Sequence, residues 1–255
     1  MKKLSDAQKT RYDRTIKVPE IGIEGQKRLA RGRVLVVGAG GLGSPAILYL
    51  AAAGVGTLGI ADHDRVDMSN LNRQIIHFTD DIGEFKTASA ESKVAEFNPH
   101  IKINQHTLHL DEHSIDNVLE GYQFVIDATD SFISKFLIND ACVRKGIPFS
   151  HAGVIRLGGQ TMTVVPGQSA CYRCIFSAPP PEDAVHQSST IGILGAVAGT
   201  IGTIQATECI KHIAQFGRLL TDTLLTFDGV AMEFRRVPVR RRPACRACGK
   251  GNDNE

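Results

Sequence analysis

The 255-residue sequence lacks the extremes of composition that mark specialised classes of protein. Its formal net charge is only +2, so no excess of one sign points to nucleic acid or a membrane surface as a partner. No stretch approaches the ~18 consecutive apolar residues that span a bilayer, and the best apolar run, 191–204, is short and broken by glycine. With 42% hydrophobic and 22% charged residues, the sequence predicts an ordinary globular protein.

The N-terminus also lacks the apolar run that follows the basic residues of a signal peptide. We therefore expect a cytoplasmic protein, in which paired cysteines are metal ligands rather than disulfides. Two of the six cysteines, Cys142 and Cys209, fall within helical patterns and are expected to be buried thiols.

The other four cysteines form two Cys-x-x-Cys pairs, Cys171/Cys174 and Cys245/Cys248. This spacing lets two thiolates of one turn bind the same ion, and two such pairs complete a tetrahedral site for Zn2+. Neither pair opens a helix after a strand as a thioredoxin-like redox pair does, so zinc is favoured. Four protein ligands leave no open coordination position, which predicts a structural metal.

Strands alternate with helices over the first 150 residues, which predicts an α/β fold with a Rossmann-like, doubly wound, mostly parallel sheet. The pattern then changes to an antiparallel C-terminal extension that carries the zinc site. The predicted strands of the first part are 33–37, 57–61, 101–108, 124–128 and 147–150, and its helices are 42–53, 86–97, 111–120 and 133–145. The predicted extension has a hairpin over 154–165 broken at Gly158-Gly159, a helix over 194–216, and strands over 224–227 and 232–237.

A glycine-rich loop lies between the first strand and the first helix. Gly38, Gly40 and Gly43 match the G-x-G-x-x-G pattern, whose backbone N–H groups approach phosphate at a helix N-terminus. Asp62 ends the next strand and is placed to bind ribose hydroxyls. These residues alone fit an NAD-dependent oxidoreductase equally well.

Charged residues beyond Asp62 favour a nucleoside triphosphate over NAD. A triphosphate needs cations or Mg2+ to offset the cost of removing its charges from water. Arg73 offers a bidentate fork, Lys86 a point charge, and Asp130 a metal-binding carboxylate at the end of a buried strand. Any one of these residues alone is more often a solvated surface charge. Because all three fall in loops at the same edge of the sheet, they predict a binding site for ATP with Mg2+.

At these residues the sequence resembles the MoeB/ThiF/HesA family, the bacterial relatives of the ubiquitin-activating enzymes. The resemblance runs from about Leu4 to Gly249, with the motifs in the family's order and spacing. The motifs are Arg11-Tyr-Asp-Arg14, Gly38-Ala-Gly-Gly-Leu-Gly43, Asp62-His-Asp64, Ser69-Asn-Leu-Asn-Arg-Gln74, Lys86, Thr129-Asp130 and the two cysteine pairs.

The resemblance implies an ATP-dependent adenylyltransferase. Family members adenylate the C-terminal glycine of a ubiquitin-like sulfur-carrier protein ending in Gly-Gly, of the MoaD or ThiS type, and release pyrophosphate. Such carriers serve molybdopterin, thiamine or other sulfur-containing products. A homodimer is the implied working unit, with no membrane or nucleic acid as partner. An NAD-dependent oxidoreductase and a non-catalytic scaffold that docks carriers remain the alternatives.

The resemblance also assigns residues. Gly41 would approach the phosphates, Asp130 would bind Mg2+, and Arg14 would reach into the neighbouring subunit's site. The implied catalytic residues are Arg14, Arg73, Lys86 and Asp130. The implied nucleotide-binding set is Gly38, Gly40, Gly41, Gly43, Asp62, Asp64, Ser69, Asn70, Arg73, Gln74, Lys86, Asp130 and Ser131.

The sequence is expected to form a single domain with a carrier-binding second half. A basic run near the second cysteine pair is either a solvated face or a docking surface for an acidic carrier. Its residues are Arg235, Arg236, Arg240, Arg241, Arg242 and Arg246. The expected segments are an N-terminal segment of one or two short helices (5–32), a nucleotide-binding half (33–150), a carrier-binding half with the zinc site (151–249) and a disordered tail (250–255).

Two features depart from the family. Ser131 stands where the family usually has asparagine and has a shorter reach. The crossover loop 177–190 has no cysteine, and Ser188 lies near the position where many relatives have one. Because a serine hydroxyl cannot form a persulfide, we expect adenylation without covalent sulfur relay through this loop.

Overall fold

The computed structural model describes residues 4–180 and 191–249. The expected tail and residue 188 therefore lie outside the described residues. Within them, one eight-stranded sheet has helices on both faces, in the order β3-β2-β1-β4-β5-β6-β7-β8. The strands are β1 (Arg33–Val37), β2 (Thr57–Ala61), β3 (Lys102–His106), β4 (Phe124–Asp127), β5 (Phe149–Ile155), β6 (Gly158–Val164), β7 (Thr223–Asp228) and β8 (Glu233–Pro238). The helices are α1 (Asp6–Arg11), α2 (Asp13–Ile16), α3 (Gly22–Leu29), α4 (Gly43–Ala53), α5 (Lys86–Phe97), α6 (Ile115–Val118), α7 (Phe132–Lys145), α8 (Tyr172–Ile175) and α9 (Gly195–Ala214).

The first five strands pair in parallel, which confirms the predicted fold class. The central strands are apolar on both faces because helices cover both sides of the sheet. Val34 and Val36 of β1 pack into one core with α4 and α9. Leu35 and Val37 pack into a second core on the opposite face, with α6 and α7. This alternation fixes which face each side chain of the site occupies.

The antiparallel extension begins within β5. This strand pairs in parallel with β4 and antiparallel with β6, so the sheet continues through residue 150 without a break. The predicted turn at Gly158-Gly159 is wrong: the turn lies at Arg156 and Leu157, and Arg156 adopts a φ of 53°. Gly159 instead lies in β6, where a Cβ would come within 2.5 Å of the Ile201 side chain of α9.

Some predicted elements are shorter or more numerous than expected. The N-terminal segment forms three short helices instead of one or two. Helix α6 begins at Ile115 rather than at Asp111, because the Asp111 carboxylate accepts hydrogen bonds from the N–H groups of His113 and Ser114 and holds a turn there. Cys142 and Cys209 are buried, as predicted. Among the described residues, no helix combines the length and apolar character needed to cross a membrane.

The glycine loop between β1 and α4 is a tightly packed turn. Gly38 has a φ of 95°, a left-handed conformation that favours glycine. Gly43 begins α4 so close to the loop that an added Cβ would lie 1.8 Å from the Gly38 carbonyl oxygen. The third glycine of the motif therefore allows the helix to pack against the loop.

We expect Gly43→Ala to lower the free energy of unfolding by about 3 kcal/mol, because the methyl group must displace backbone. Gly199→Ala is the matched control. Gly199 lies within α9, and nothing lies within 4 Å of an added Cβ there. Alanine at this position should therefore raise the free energy of unfolding by up to about 1 kcal/mol. Denaturant unfolding measures both, and equal effects would contradict the packing argument.

Candidate active site and cysteine cluster

A cleft of about 480 Å³ opens where the strand order reverses between β1 and β4. In a doubly wound sheet, this point at the carboxyl ends of the strands is where ligands bind. Nine of the cleft's lining residues come from the sequence-predicted site: Gly38, Gly40, Gly41, Asp62, Asp64, Arg73, Gln74, Lys86 and Asp130. The cleft thus brings together motifs that are up to 92 residues apart in the chain.

Two backbone groups of Ala39, its N–H and its carbonyl oxygen, hold the glycine loop in place. Its N–H donates to Asp62 Oδ2 at 2.8 Å, and its carbonyl oxygen lies 2.9 Å from His77 Nε2. The neighbouring Gly40 and Gly41 face the cleft, whereas Gly43 does not line it. Asp62 therefore supports the phosphate loop directly and also lines the cleft.

Lys86 is the first residue of α5 and lies on the cleft with its side chain only 7% exposed. Its ammonium group contacts Asp64 Oδ2 at 2.8 Å. Partial burial opposes ionisation of Asp64, but the Lys86 hydrogen bond and charge outweigh it and lower the pKa of this carboxyl. Lys86 is therefore paired at the cleft wall with an ionised carboxylate.

Arg73 and Gln74 follow a short 3-10 turn, Met68–Asn70. The Asp67 carboxylate accepts from the Ser69 N–H, and Asn70 Oδ1 accepts the Asp67 N–H, so a capping box closes the N-terminus of the turn. Ser69 and Asn70 do not line the cleft. Their observed contacts shape the turn that presents Arg73 and Gln74 to it.

Asp130 lies at the carboxyl end of β4 and lines the cleft between the glycine loop and β5. Ser131 is the N-cap of α7, where its hydroxyl accepts the Ser134 N–H at 3.4 Å. Arg14 lies exposed on α2 and does not line the cleft of its own chain.

A buried charged cluster at the inner end of the cleft was missed from the sequence. Asp127 ends β4, and its Oδ2 lies 3.0 Å from His151 Nδ1 and 3.4 Å from Lys135 Nζ. Lys135 also donates to the carbonyl oxygens of Thr129 and Ala152, each at 2.6 Å. Lys135 and His151 both line the cleft. The available signal was an aspartate in an otherwise apolar buried strand.

Charge attraction decides the protonation of Asp127, and burial decides that of His151. Burial alone would raise the pKa of Asp127, but Lys135 and the His151 hydrogen bond lower it to about 2. Burial lowers the pKa of His151 more than the Asp127 contact raises it. The cluster at neutral pH is therefore a carboxylate, an ammonium group and a neutral imidazole.

The four paired cysteines converge within the second core. All four are buried, and their sulfur atoms lie within 4.8 Å of one another. The Sγ atoms are 3.6 Å apart for Cys171 and Cys245, and 3.4 Å apart for Cys174 and Cys248. A tetrahedron with metal–sulfur bonds of about 2.3 Å has edges of about 3.8 Å. The cluster therefore fits one tetrahedral ion.

Backbone N–H groups favour the thiolate of Cys245, whereas burial raises the pKa of Cys171 and Cys248 in the absence of a metal's charge. Burial opposes ionisation of Cys245, but the N–H groups of Cys248 and Ala247 help to lower its pKa to about 7. The Arg242 N–H donates to Cys174 Sγ at 3.4 Å, and Arg241 contacts the Cys248 carbonyl oxygen. Two arginines of the basic run thus hold the cysteine cluster and are not only a solvated face.

Residues 12–247 match the ThiF family. The chain belongs to this family. The resemblance seen in its motifs is therefore confirmed, and the expected adenylyltransferase activity is confirmed by the chain's similarity to adenylyltransferases.

Three relatives illustrate the similarity. A SAMP-activating enzyme E1 of Haloferax volcanii is 44% identical over 248 residues, covering 97% of this chain and 92% of the relative. A sulfur carrier protein adenylyltransferase of Thermus thermophilus is 38% identical, covering 94% and 90%. An adenylyltransferase and sulfurtransferase MOCS3 of Drosophila sechellia is 43% identical over 96% of this ThiF family chain, which spans 54% of the relative.

A solved structure supports the same fold at lower identity. The crystal structure of E. coli MccB with MccA-N7isoASN matches with a TM-score of 0.83 and 21% identity, covering 96% of this chain and 76% of the other. At this identity the likeness shows the ThiF family fold alone.

We expect Asp127→Asn to destabilise the protein by about 3–5 kcal/mol at pH 7, because Lys135 loses its buried counter-charge. The folded-state pKa of Asp127, about 2, lies below the ordinary carboxyl value of 3.8. Its stabilisation is therefore present above about pH 4 and is lost as the pH falls towards 2. The difference between the variant and the wild type should shrink by about 2 kcal/mol over that window.

Unfolding measured at several pH values tests this difference. Asp116→Asn is the control, because Asp116 pairs with Arg144 at the surface and should contribute less than about 1 kcal/mol. A difference for Asp127→Asn that stays constant from pH 7 to pH 3 would contradict the assigned ionisation.

Proposed function

We propose that the protein uses ATP and Mg2+ to adenylate the C-terminal glycine carboxylate of a ubiquitin-like sulfur-carrier protein, with release of pyrophosphate. The observation that carries this proposal is the convergence of Arg73, Lys86 and Asp130 on one cleft beside the glycine loop. The relatives named for SAMP activation and for a sulfur carrier protein support the class of substrate. An NAD-dependent oxidoreductase needs neither cation, and a docking scaffold needs none of the three residues.

The proposed reaction joins two anions. The carrier's carboxylate attacks the α-phosphorus, an oxygen–phosphorus bond forms, and pyrophosphate leaves with the electrons of the bond that breaks. The carboxylate is ionised at neutral pH, so no general base is required. Catalysis then depends on positioning and on cations that stabilise charge on the phosphoryl oxygens. Arg73 and Lys86 supply these charges.

Asp130 would hold the Mg2+ ion, which offsets the charge of the triphosphate when bound. The four clustered cysteines would hold Zn2+, which links α8 in the middle of the chain to the C-terminal segment. The donor set of four thiolates suits zinc and leaves no position for a reacting group.

The carrier would dock on the antiparallel side of the sheet. Strand β8 is an edge strand of the described sheet and is exposed along its whole length. It carries Arg235 and Arg236 beside exposed Phe234 and Val237. A basic and apolar edge complements an acidic partner and raises its association rate.

A homodimer is the proposed working unit. The segment between β2 and α5 exposes five large apolar side chains, more than a free surface usually bears. They are Met68, Ile75, Phe78, Ile82 and Phe85. The family resemblance assigns Arg14 to the partner's cleft, and Arg14 does not line its own.

Asp130→Ala should reduce ATP–pyrophosphate exchange with a Gly-Gly carrier by at least about 100-fold, because the metal's charge is lost from the site. Thermal unfolding should match the wild type, since Asp130 is exposed. Glu112→Ala removes an exposed carboxylate outside the cleft and outside the proposed dimer surface, and should leave exchange unchanged. Near-wild-type exchange by Asp130→Ala would remove this residue from the mechanism.

Arg14→Ala should also slow turnover if the arginine acts across the dimer. A mixture with Asp130→Ala should then recover activity, since a mixed dimer has one cleft with an intact Asp130 and an intact partner Arg14. Exchange is measured before and after the two variants are mixed. A mixture no more active than its components would rule out the arginine acting in trans.

Cys174→Ala should lose bound zinc and lower the melting temperature, because three cysteines cannot complete the site. Cys142→Ala is the control: it truncates a buried cysteine outside the cluster and should keep one zinc per chain. Metal analysis of the purified proteins measures both. Zinc retained by Cys174→Ala, or absent from the wild type, would contradict the zinc proposal.

A further inference from the structure

The inner end of the cleft forms a chamber on one face of the sheet. Residues of β5 alternate, so His151 and Gly153 face the second core, whereas Ala152 and Val154 face the first. Residues of α7, β5, β6 and α8 line the chamber. Its lining residues are Phe132, Lys135, His151, Gly153, Gln160 and Tyr172.

The imidazole of His151 is fixed at one edge and unpartnered at the other. Asp127 is ionised and can only accept, so the hydrogen between it and His151 lies on Nδ1. The neutral ring then carries a lone pair on Nε2. Among the described residues, Nε2 is buried and has no hydrogen-bond partner. An unpartnered buried acceptor destabilises the protein without ligand, and a ligand that donates a hydrogen bond would recover that cost.

The other polar groups of the cluster do not meet this need. Lys135 donates to two carbonyl oxygens and lies beside Asp127. The Asp127 Oδ1 atom accepts from the N–H and the hydroxyl of Thr129. The cluster is thus internally satisfied apart from His151 Nε2. Asp127 occupies Nδ1, and the Tyr172 ring packs against the imidazole with 4.4 Å between ring centroids. Nε2 is therefore the one polar atom of His151 left to bind a ligand of the cleft.

The position of His151 indicates which substrate meets it. Strand β5 lies two positions from β1, which leads into the glycine loop, and three from β2, which leads into Asp62. These separations are about 10 Å and about 14 Å. Asp130, where the two substrates would meet, follows β4, the strand between β1 and β5. A ligand at His151 therefore comes from the acyl side of the reaction. On a peptide terminus, the donor nearest the carboxylate is the N–H of the last residue.

We propose that His151 Nε2 accepts a hydrogen bond from the N–H group of the substrate residue that bears the reacting carboxylate. This inference rests on the proposed function and makes it more specific. The chamber then selects a carboxylate at the end of a peptide over one on a small acid that lacks the amide. The contact also fixes the rotation of the terminal glycine, the most flexible residue of the substrate.

An amide-to-ester exchange in the carrier tests the contact without added bulk. A semisynthetic carrier whose last peptide bond is an ester has an oxygen in place of the N–H. With the wild type, kcat/KM for ATP–pyrophosphate exchange should fall about 10-fold for the ester carrier relative to the amide carrier. With His151→Ala the two carriers should react equally. His151→Gln, which returns an acceptor, should restore part of the preference.

Phe149→Leu is the matched control. Phe149 lies two residues earlier on the same strand and face, is buried, and does not line the cleft. It should keep the wild-type preference for the amide carrier. Equal rates for both carriers with the wild type, or an unchanged preference in His151→Ala, would overturn the His151 contact. No exchange with any Gly-Gly carrier would instead overturn the proposed function, and the inference with it.

Discussion

A triphosphate and a carboxylate repel each other, so a protein that joins them must first place cations where the two anions meet. In this chain the cations are held rather than left mobile. Lys86 is almost fully buried and paired with Asp64, and Arg73 is fixed by the Ser69 carbonyl oxygen. Burial raises the strength of such charges because less water screens them. The remaining features of the molecule serve to bring these groups to one edge of the sheet.

The sheet gives that edge two functional sides. On one side, β1 leads into the glycine loop and β2 leads into Asp62, and the two are linked by the hydrogen bond from the Ala39 N–H to Asp62. On the other, β5 passes from parallel to antiparallel pairing and brings His151 to the inner chamber. Asp127 lies between them at the end of β4 and holds β5 and α7 through His151 and Lys135. A buried ion pair is weak support for stability in general, but its loss would leave an unpaired charge beside the cleft.

Much of this arrangement could be predicted from the sequence. The period of the apolar residues gave the order of the elements. The glycine loop and Asp130 lie on the cleft as expected because they follow strand ends, and Lys86 does so because it begins α5. The turn at Arg156 and the late start of α6 were not predicted, since side-chain contacts and tertiary packing decided them. Lys135 and His151 were missed for a further reason. Their role depends on which residues share a face across neighbouring strands, and no local pattern records that register.

The central claim is that the cleft neutralises polyphosphate. Isothermal titration calorimetry of AMP, ATP with Mg2+, and NAD tests it most directly. The account predicts that ATP with Mg2+ binds at least about 10-fold more tightly than AMP or NAD, and that Lys86→Met removes most of this advantage while leaving AMP affinity unchanged. Equal affinities for the three nucleotides, or a Lys86→Met variant that still prefers ATP to the full extent, would contradict it.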